Sequence, residues 1–163
     1  MRETVSIQVL CVGKLKEKHF SAACAEYEKR LRPFCRLTVT ELAEERLPED
    51  PSPAQIDAAL EKEALRLREK LPRGGRVAAL CVEGDLLSSP QLSKTLERWM
   101  VEGASSVTLV IGGSFGLHPS VKRQADLRLS MSPMTFPHHL ARVMVLEQVY
   151  RAFQISAGTR YHK

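Results

Sequence analysis

The sequence predicts an α/β fold, a mostly parallel sheet flanked by helices. Three observations predict it. Short apolar runs rich in β-branched residues recur at 6–12, 37–42, 76–82, 107–111 and 127–131. Longer segments between them carry apolar residues at helical spacing. The two kinds alternate along the chain, as crossovers between parallel strands require. With no repeat, low-complexity tract or convincing linker, residues 1–163 read as one domain.

The first strand, 6–12, ends at Gly13, and a loop with Lys14, Lys16 and Lys18 follows. Phe20, Cys24, Tyr27 and Leu31 then fall on one helical face, which Pro33 ends. Residues 37–42 alternate apolar and polar, the mark of a half-exposed strand. The acidic, proline-rich stretch 44–53 is a loop. Ser52 and Gln55 form a capping box for a second helix, striped by Ile56, Leu60, Ala64, Leu67 and Leu71. Its other faces are densely charged and suggest a wet surface without chemistry. A buried strand at 76–82 ends at Glu83-Gly84-Asp85. Ser89 and Pro90 open a third helix, in which Trp99 is a core or interface anchor.

The run 107–111 is too short for a helix and reads as a strand buried on both faces. Gly112, Gly113 and Gly116 follow at once, then His118-Pro119-Ser120 at the start of a short helix. A strand ending in a glycine loop stands where open α/β sheets bind ligands. The loop is neither Gly-x-Gly-x-x-Gly nor a phosphate-cradling loop ending in Gly-Lys-Ser/Thr. That disfavours a dinucleotide oxidoreductase and a nucleoside triphosphatase. It leaves a small molecule held by backbone groups and shape, or a plain turn. After the last strand, 127–131, two prolines stiffen the loop before a final helix at 138–155. That helix is apolar nearly all round, so it must be buried, and the expected cover is a second copy of the chain.

Composition sets bounds. The chain has 163 residues, 44% hydrophobic, enough for a core that buries about 70% of the unfolded surface. The net charge of +5 permits a polyanionic partner without establishing one. Cys11, Cys24, Cys35 and Cys81 include no Cys-x-x-Cys pair, so neither a zinc ribbon nor a redox motif is indicated. Cys11 and Cys81 read as buried thiols. His138 and His139 are adjacent, which is the wrong spacing for a metal pair on a helix. Met1-Arg2-Glu3-Thr4 leads into a run too short for a signal peptide, and no membrane span is expected. A reducing cytoplasmic setting fits these features.

Several stretches together resemble one family. They are Val12-Gly13-Lys14-Leu15-Lys16-Glu17-Lys18, Ile111-Gly112-Gly113-Ser114-Phe115-Gly116-Leu117, and the ending. The ending comprises Leu129-Ser130-Met131-Ser132-Pro133-Met134-Thr135-Phe136-Pro137-His138-His139-Leu140-Ala141-Arg142, Glu147-Gln148-Val149-Tyr150-Arg151-Ala152 and Tyr161-His162-Lys163. The likeness runs from Val5 to the last residue. It is to the bacterial large-subunit ribosomal RNA pseudouridine N3-methyltransferases, of the SPOUT class.

The resemblance implies a C-terminal trefoil knot and a homodimer with the active site at its interface. It implies S-adenosylmethionine as cofactor and no metal. The substrate it implies is pseudouridine 1915 of 23S ribosomal RNA in the assembled ribosome. The family's cofactor loops fall on Leu80, Gly112, Met131, Ser132, Pro133, Met134, Thr135 and Phe136. His162 is the candidate base, since an imidazole titrates near neutrality. Tyr161 would stack on the nucleobase or hydrogen-bond it. Arg142 would steady charge on the nucleobase or bind phosphate, from what otherwise reads as a surface position on the helix. His138 would support the cofactor loop. Lys14, Lys16, Lys18 and Lys163 are the candidate RNA contacts. Asp85 stands where many relatives have lysine, and Arg160 where proline is common. A non-catalytic RNA-binding factor with the same fold is the alternative, and it would not bind the cofactor.

Overall fold

In the computed structural model, which describes residues 4–163, strands and helices alternate throughout. The expectation for the amino end at Met1–Glu3 lies outside the described residues. In chain order the elements are β1 (Val5–Val12), α1 (Lys18–Leu31), β2 (Cys35–Leu42), α2 (Pro53–Glu69) and β3 (Arg76–Leu86). Then follow α3 (Ser89–Val101), β4 (Ser106–Ile111), α4 (Pro119–Gln124), β5 (Leu127–Ser130) and α5 (His138–Ser156). The strands form a five-stranded sheet in the order β2-β1-β4-β3-β5, and every pairing is parallel.

The two-residue period of a strand sends alternate side chains to opposite faces, and here each face has its own core. Ile7, Val9, Cys11, Val107, Leu109 and Ile111 point one way, onto Cys24, Leu31, Trp99, Leu146 and Val149 of α1, α3 and α5. Leu10, Val12 and Val110 point the other way, onto Ala64, Leu67 and Val121 of α2 and α4. β4 is buried along its whole length. Each of its large aliphatic side chains therefore stabilises the fold by about 1.5–3 kcal/mol relative to exposure. Trp99 is a core residue.

Two details differ from the sequence reading, the end of β3 and the burial of Cys81. β3 runs on to Leu86 because the chain bulges after Leu80 and then re-pairs, with Asp85 opposite Leu129 and Leu86 opposite Ser130. Gly84 permits this, since a Cβ there would stand 2.7 Å from the Arg128 carbonyl group. As expected, α3 opens at Ser89 and Pro90, and Ser88 caps it in a capping box with Gln91 that matches the Ser52–Gln55 box of α2. Cys81 is only half-buried, whereas Cys11, Cys24 and Cys35 are buried. On α5, Val145, Leu146, Val149 and Ala152 face the core, while Leu140 and Met144 stay half-exposed outside both clusters. Among the described residues no helix is long and apolar enough to cross a membrane.

Candidate functional site

A cavity of about 600 Å³ opens at the carboxyl ends of β3, β4 and β5. Three chain segments wall it: Leu80–Glu83, the glycine loop Ile111–Leu117, and the stretch from Met131 to His138. The second and third leave the ends of β4 and β5, and the first is the bulge of β3; in all three, backbone groups run out of ladder partners and become available to a ligand.

The glycine loop is shaped by what it lacks. A Cβ on Gly112 would stand 2.5 Å from the Gly116 carbonyl carbon, so only glycine fits. Gly116 has φ +80°, the left-handed region that glycine enters without strain. Its N–H donates to the Gly113 carbonyl at 3.1 Å and closes a tight turn. Across the cavity, Ser130 Oγ donates to the Ser132 carbonyl (3.0 Å) and Ser132 Oγ accepts from Met134 N–H (3.0 Å). These bonds give the proline-rich loop a fixed course. Apolar side chains of Leu80, Ile111, Leu129, Met131 and Phe136 line the space. Val82, Phe115 and Met134 leave its rim unusually apolar, with Met134 73% exposed.

Of the residues expected to hold a cofactor, Leu80, Gly112, Met131, Ser132, Met134, Thr135 and Phe136 line the cavity, and so does His138. Pro133 does not reach the lining. The sequence reading missed Cys81, and it missed Glu83 and Lys122, which form an ion pair at 2.5 Å on the wall. A lysine on the far side of a four-residue turn carries no local signal of that placement.

Arg142 corrects an expectation. It is not a surface side chain but 2% exposed, and it lies outside the cavity lining. Nη1 donates to Glu41 Oε2 at 2.6 Å, and Nη2 donates to the Gly13 carbonyl at 3.0 Å. The guanidinium thus ties the first turn of α5 to the ends of β1 and β2, and is not free to meet a nucleobase. Burial raises its cost, and the carboxylate offsets it.

Tyr161 and His162 gather at the far end of α5. Glu147 and Arg151 pair one turn apart, with Nη2 2.7 Å from Oε1. Tyr161 OH donates to Glu147 Oε1 at 3.1 Å, and Arg151 Nη1 lies 3.2 Å from His162 Nδ1. The Tyr161 ring meets Tyr150 edge-on, with Arg151 over its face. Burial and the neighbouring Glu147 push the Tyr161 hydroxyl above the ordinary phenol range, so it stays protonated at neutral pH. Arg151 sits thirteen residues along α5 from His138. At the helical rise that is about 20 Å, so one copy of the chain holds this cluster well away from its own cavity. Lys14, Lys16, Lys18 and Lys163 are exposed and have no ion-pair partner among the described residues. Among those residues no group of His, Cys, Asp and Glu has the arrangement of a metal site.

Comparison with known proteins fits this geometry. Among solved structures, a probable methyltransferase from Bordetella pertussis Tohama I superposes with a TM-score of 0.55 at 14% identity, over 91% of this chain and 95% of that one. A probable methylase family protein from Haemophilus influenzae Rd KW20 gives 0.52 at 12%, over 96% and 70%. Identities this low speak to the fold alone. In sequence, the chain is 46% identical to a protein of Bifidobacterium animalis subsp. lactis (strain AD011) named "Ribosomal RNA large subunit methyltransferase H". That match covers 98% of this chain and 100% of the relative. The model of the family described as "Predicted SPOUT methyltransferase" matches residues 5–162, and the chain belongs to that family.

Proposed function

We propose that this protein is an S-adenosylmethionine-dependent methyltransferase that modifies N3 of pseudouridine 1915 of 23S ribosomal RNA in the assembled ribosome. It acts in the cytoplasm as a homodimer with a C-terminal trefoil knot. The observation that carries the reading is the cavity at the strand ends, walled by glycine backbone and apolar side chains, in a chain 46% identical along its length to a named ribosomal RNA methyltransferase.

The residues fit the cofactor. Gly112 lets the loop fold closely against Gly116, Gly116 leaves open space where a side chain would stand, and Leu80 and Phe136 offer apolar faces for an adenine. A cavity of about 600 Å³ lies within the usual range for such molecules. Bound there, S-adenosylmethionine supplies a methyl group already activated on a sulfonium. The chain's own work is to position and to move a proton. Alignment of the acceptor nitrogen contributes about 7–11 kcal/mol. His162 takes the N3 proton on Nδ1, the lone pair that Arg151 Nη1 holds in the free protein and releases to the nucleobase, and Tyr161 places the base. Because that cluster stands far along α5 from the cavity of its own chain, the partner copy completes each site. Leu140 and Met144 of α5 and the apolar cavity rim supply the surface to be covered. Arg142 acts indirectly, by fixing the turn that carries His138.

The decisive experiment incubates the purified protein and labelled cofactor with ribosomes lacking the modification, then maps modified bases by mass. No methylated pseudouridine, together with no calorimetric binding at millimolar cofactor, would leave the RNA-binding factor as the answer.

Two further results are expected. Cys81 is half-buried in the cavity wall, where partial burial and Glu83 raise its thiol, whereas deeper burial pushes Cys11 up to about 12, despite nearby Arg142, and Cys35 up to about 11. Alkylation at pH 8 should therefore mark Cys81 first, and S-adenosylmethionine should slow it; equal rates with and without cofactor would move the site elsewhere. The four exposed lysines should give RNA binding a salt slope of roughly −3 per chain, falling to about −1 when Lys14, Lys16 and Lys18 become alanine. An unchanged slope would remove them from the interface.

A further inference from the structure

The acidic stretch after β2 reaches across the end of β1 to the glycine loop. Glu44 Oε1 accepts a hydrogen bond from the Ser114 N–H at 2.8 Å. Ser114 is at the exposed tip of the loop, which is otherwise closed only by the Gly113–Gly116 turn. The fit against Gly113 leaves no space: a Cβ there would stand 2.6 Å from Glu44 Oε1 and 2.9 Å from Cδ. The other carboxylate oxygen lies on the side of Gly13. A Cβ on Gly13 would stand 3.8 Å from Glu44 Oε2 and 3.5 Å from His138 Nε2. The carboxylate therefore sits tight against the glycine loop, and its second oxygen and the His138 ring both approach Gly13.

This contact has a fixed base. On one side of Glu44, Arg66 of α2 donates to the Ala43 carbonyl at 2.9 Å. On the other, the Glu45 N–H donates to buried Glu63 at 2.8 Å, and the Glu45 carboxylate pairs with Arg66. Both peptide neighbours of Glu44 are gripped by the same helix. A carboxylate held in this way presents a charge-assisted acceptor at a set point.

We propose that Glu44 is a positioning residue of the cofactor cavity: a strut, footed on α2, that holds the Ser114 amide and keeps the glycine loop in its ligand-ready shape. A loop ordered in advance costs the ligand less to bind. The proposal rests on the cavity being the cofactor site, but its most direct readout, amide exchange without ligand, does not.

The test uses the full-length protein and four variants: Glu44→Ala, Glu44→Gln, Gly113→Ala and the Glu44→Ala/Gly113→Ala double. Gly113 is not at positive φ, so alanine suits its backbone. Its methyl group displaces the Glu44 carboxylate, the movable partner in that contact. Glu44→Ala is expected to speed Ser114 amide exchange about tenfold in the free protein, with the melting temperature nearly unchanged. The same variant should weaken calorimetric S-adenosylmethionine binding about tenfold. Glu44→Gln keeps an acceptor oxygen and should stay within about threefold of the parent. Gly113→Ala should match Glu44→Ala, and the double variant should be no worse than either, because both remove one strut. Unchanged Ser114 exchange in Glu44→Ala overturns the proposal. So do additive losses in the double variant, which would put the Gly113 methyl group against the ligand itself. Equal losses for Gln and Ala would also overturn it, in favour of charge alone. If the parent binds no cofactor while Glu44→Ala still frees Ser114, the strut stands and the cofactor reading falls.

Discussion

Glu41→Ala is expected to cost about 3–5 kcal/mol of folding free energy, and more than Arg142→Met. The asymmetry follows from burial. The Arg142 side chain is 3% exposed and that of Glu41 35%. Removing Glu41 strands a guanidinium whose Nε already has no partner, and an unpaired buried charge is the costly outcome. Removing Arg142 instead leaves a carboxylate that still reaches water and still accepts from the Leu15 N–H at 3.0 Å. Methionine refills much of the volume, so Arg142→Met should cost about 1–3 kcal/mol. The double variant should recover part of the Glu41→Ala loss, because no charge is then left alone. Urea unfolding measures all three; a Glu41→Ala loss below about 1 kcal/mol would mean the clamp adds nothing. The pH dependence has a definite sign. Desolvation pushes the Glu41 carboxyl upward, but the Arg142 and Leu15 hydrogen bonds and the charges of Arg142 and Lys14 outweigh it and hold it below its ordinary value of 4.5. A carboxyl depressed on folding stabilises the protein above that value and loses the contribution as pH falls through the folded one. Glu41→Gln should therefore lose less stability between pH 5 and pH 3 than the parent.

Why the burial of Arg142 was not legible, while the cavity was legible in outline, comes down to the range of the interactions. β4 announces itself locally: five aliphatic or β-branched residues in a row can be hidden only in the middle of a sheet, and Gly112-Gly113 marks its end. The Ser52–Gln55 box and the greasy α5 are local in the same way. Arg142 meets a carboxylate 101 positions away, and no spacing rule spans that distance. The β2-β1-β4-β3-β5 order and the bulge at Gly84 likewise depend on which strands meet. Glu63 is a different case. It lies three residues after Leu60 and four before Leu67, on the apolar stripe of α2, and is 5% exposed. A carboxylate on a buried stripe needs a donor, and the donor is the backbone of the loop that carries Glu44. Density of charge on the other faces hid a signal that the helical period contained.

His162→Ala is expected to lower methyl transfer about 10²–10⁴-fold while leaving cofactor affinity within about twofold, since the imidazole is assigned to the acceptor base and is not part of the cavity lining. Gly112→Val should do the opposite. Its Cβ would stand 2.5 Å from the Gly116 carbonyl carbon and force the glycine loop on the cavity wall to shift, so cofactor affinity should fall at least about 100-fold while a circular-dichroism melt shows the variant still folded. Neither variant alone should turn over measurably at limiting cofactor. Mixed in equal amounts and allowed to exchange subunits, they should regain activity. A heterodimer pairs the sound cavity of one copy with the sound tail of the other, and its second site carries both lesions. Half of randomly paired dimers are heterodimers with one working site of two, so about a quarter of the parent's activity should return. Recovery at that level requires that cavity and tail come from different chains. If the mixture stays inactive while subunits demonstrably exchange, each chain must complete its own site, and α5 would have to bend by enough to close the roughly 20 Å between His138 and Arg151.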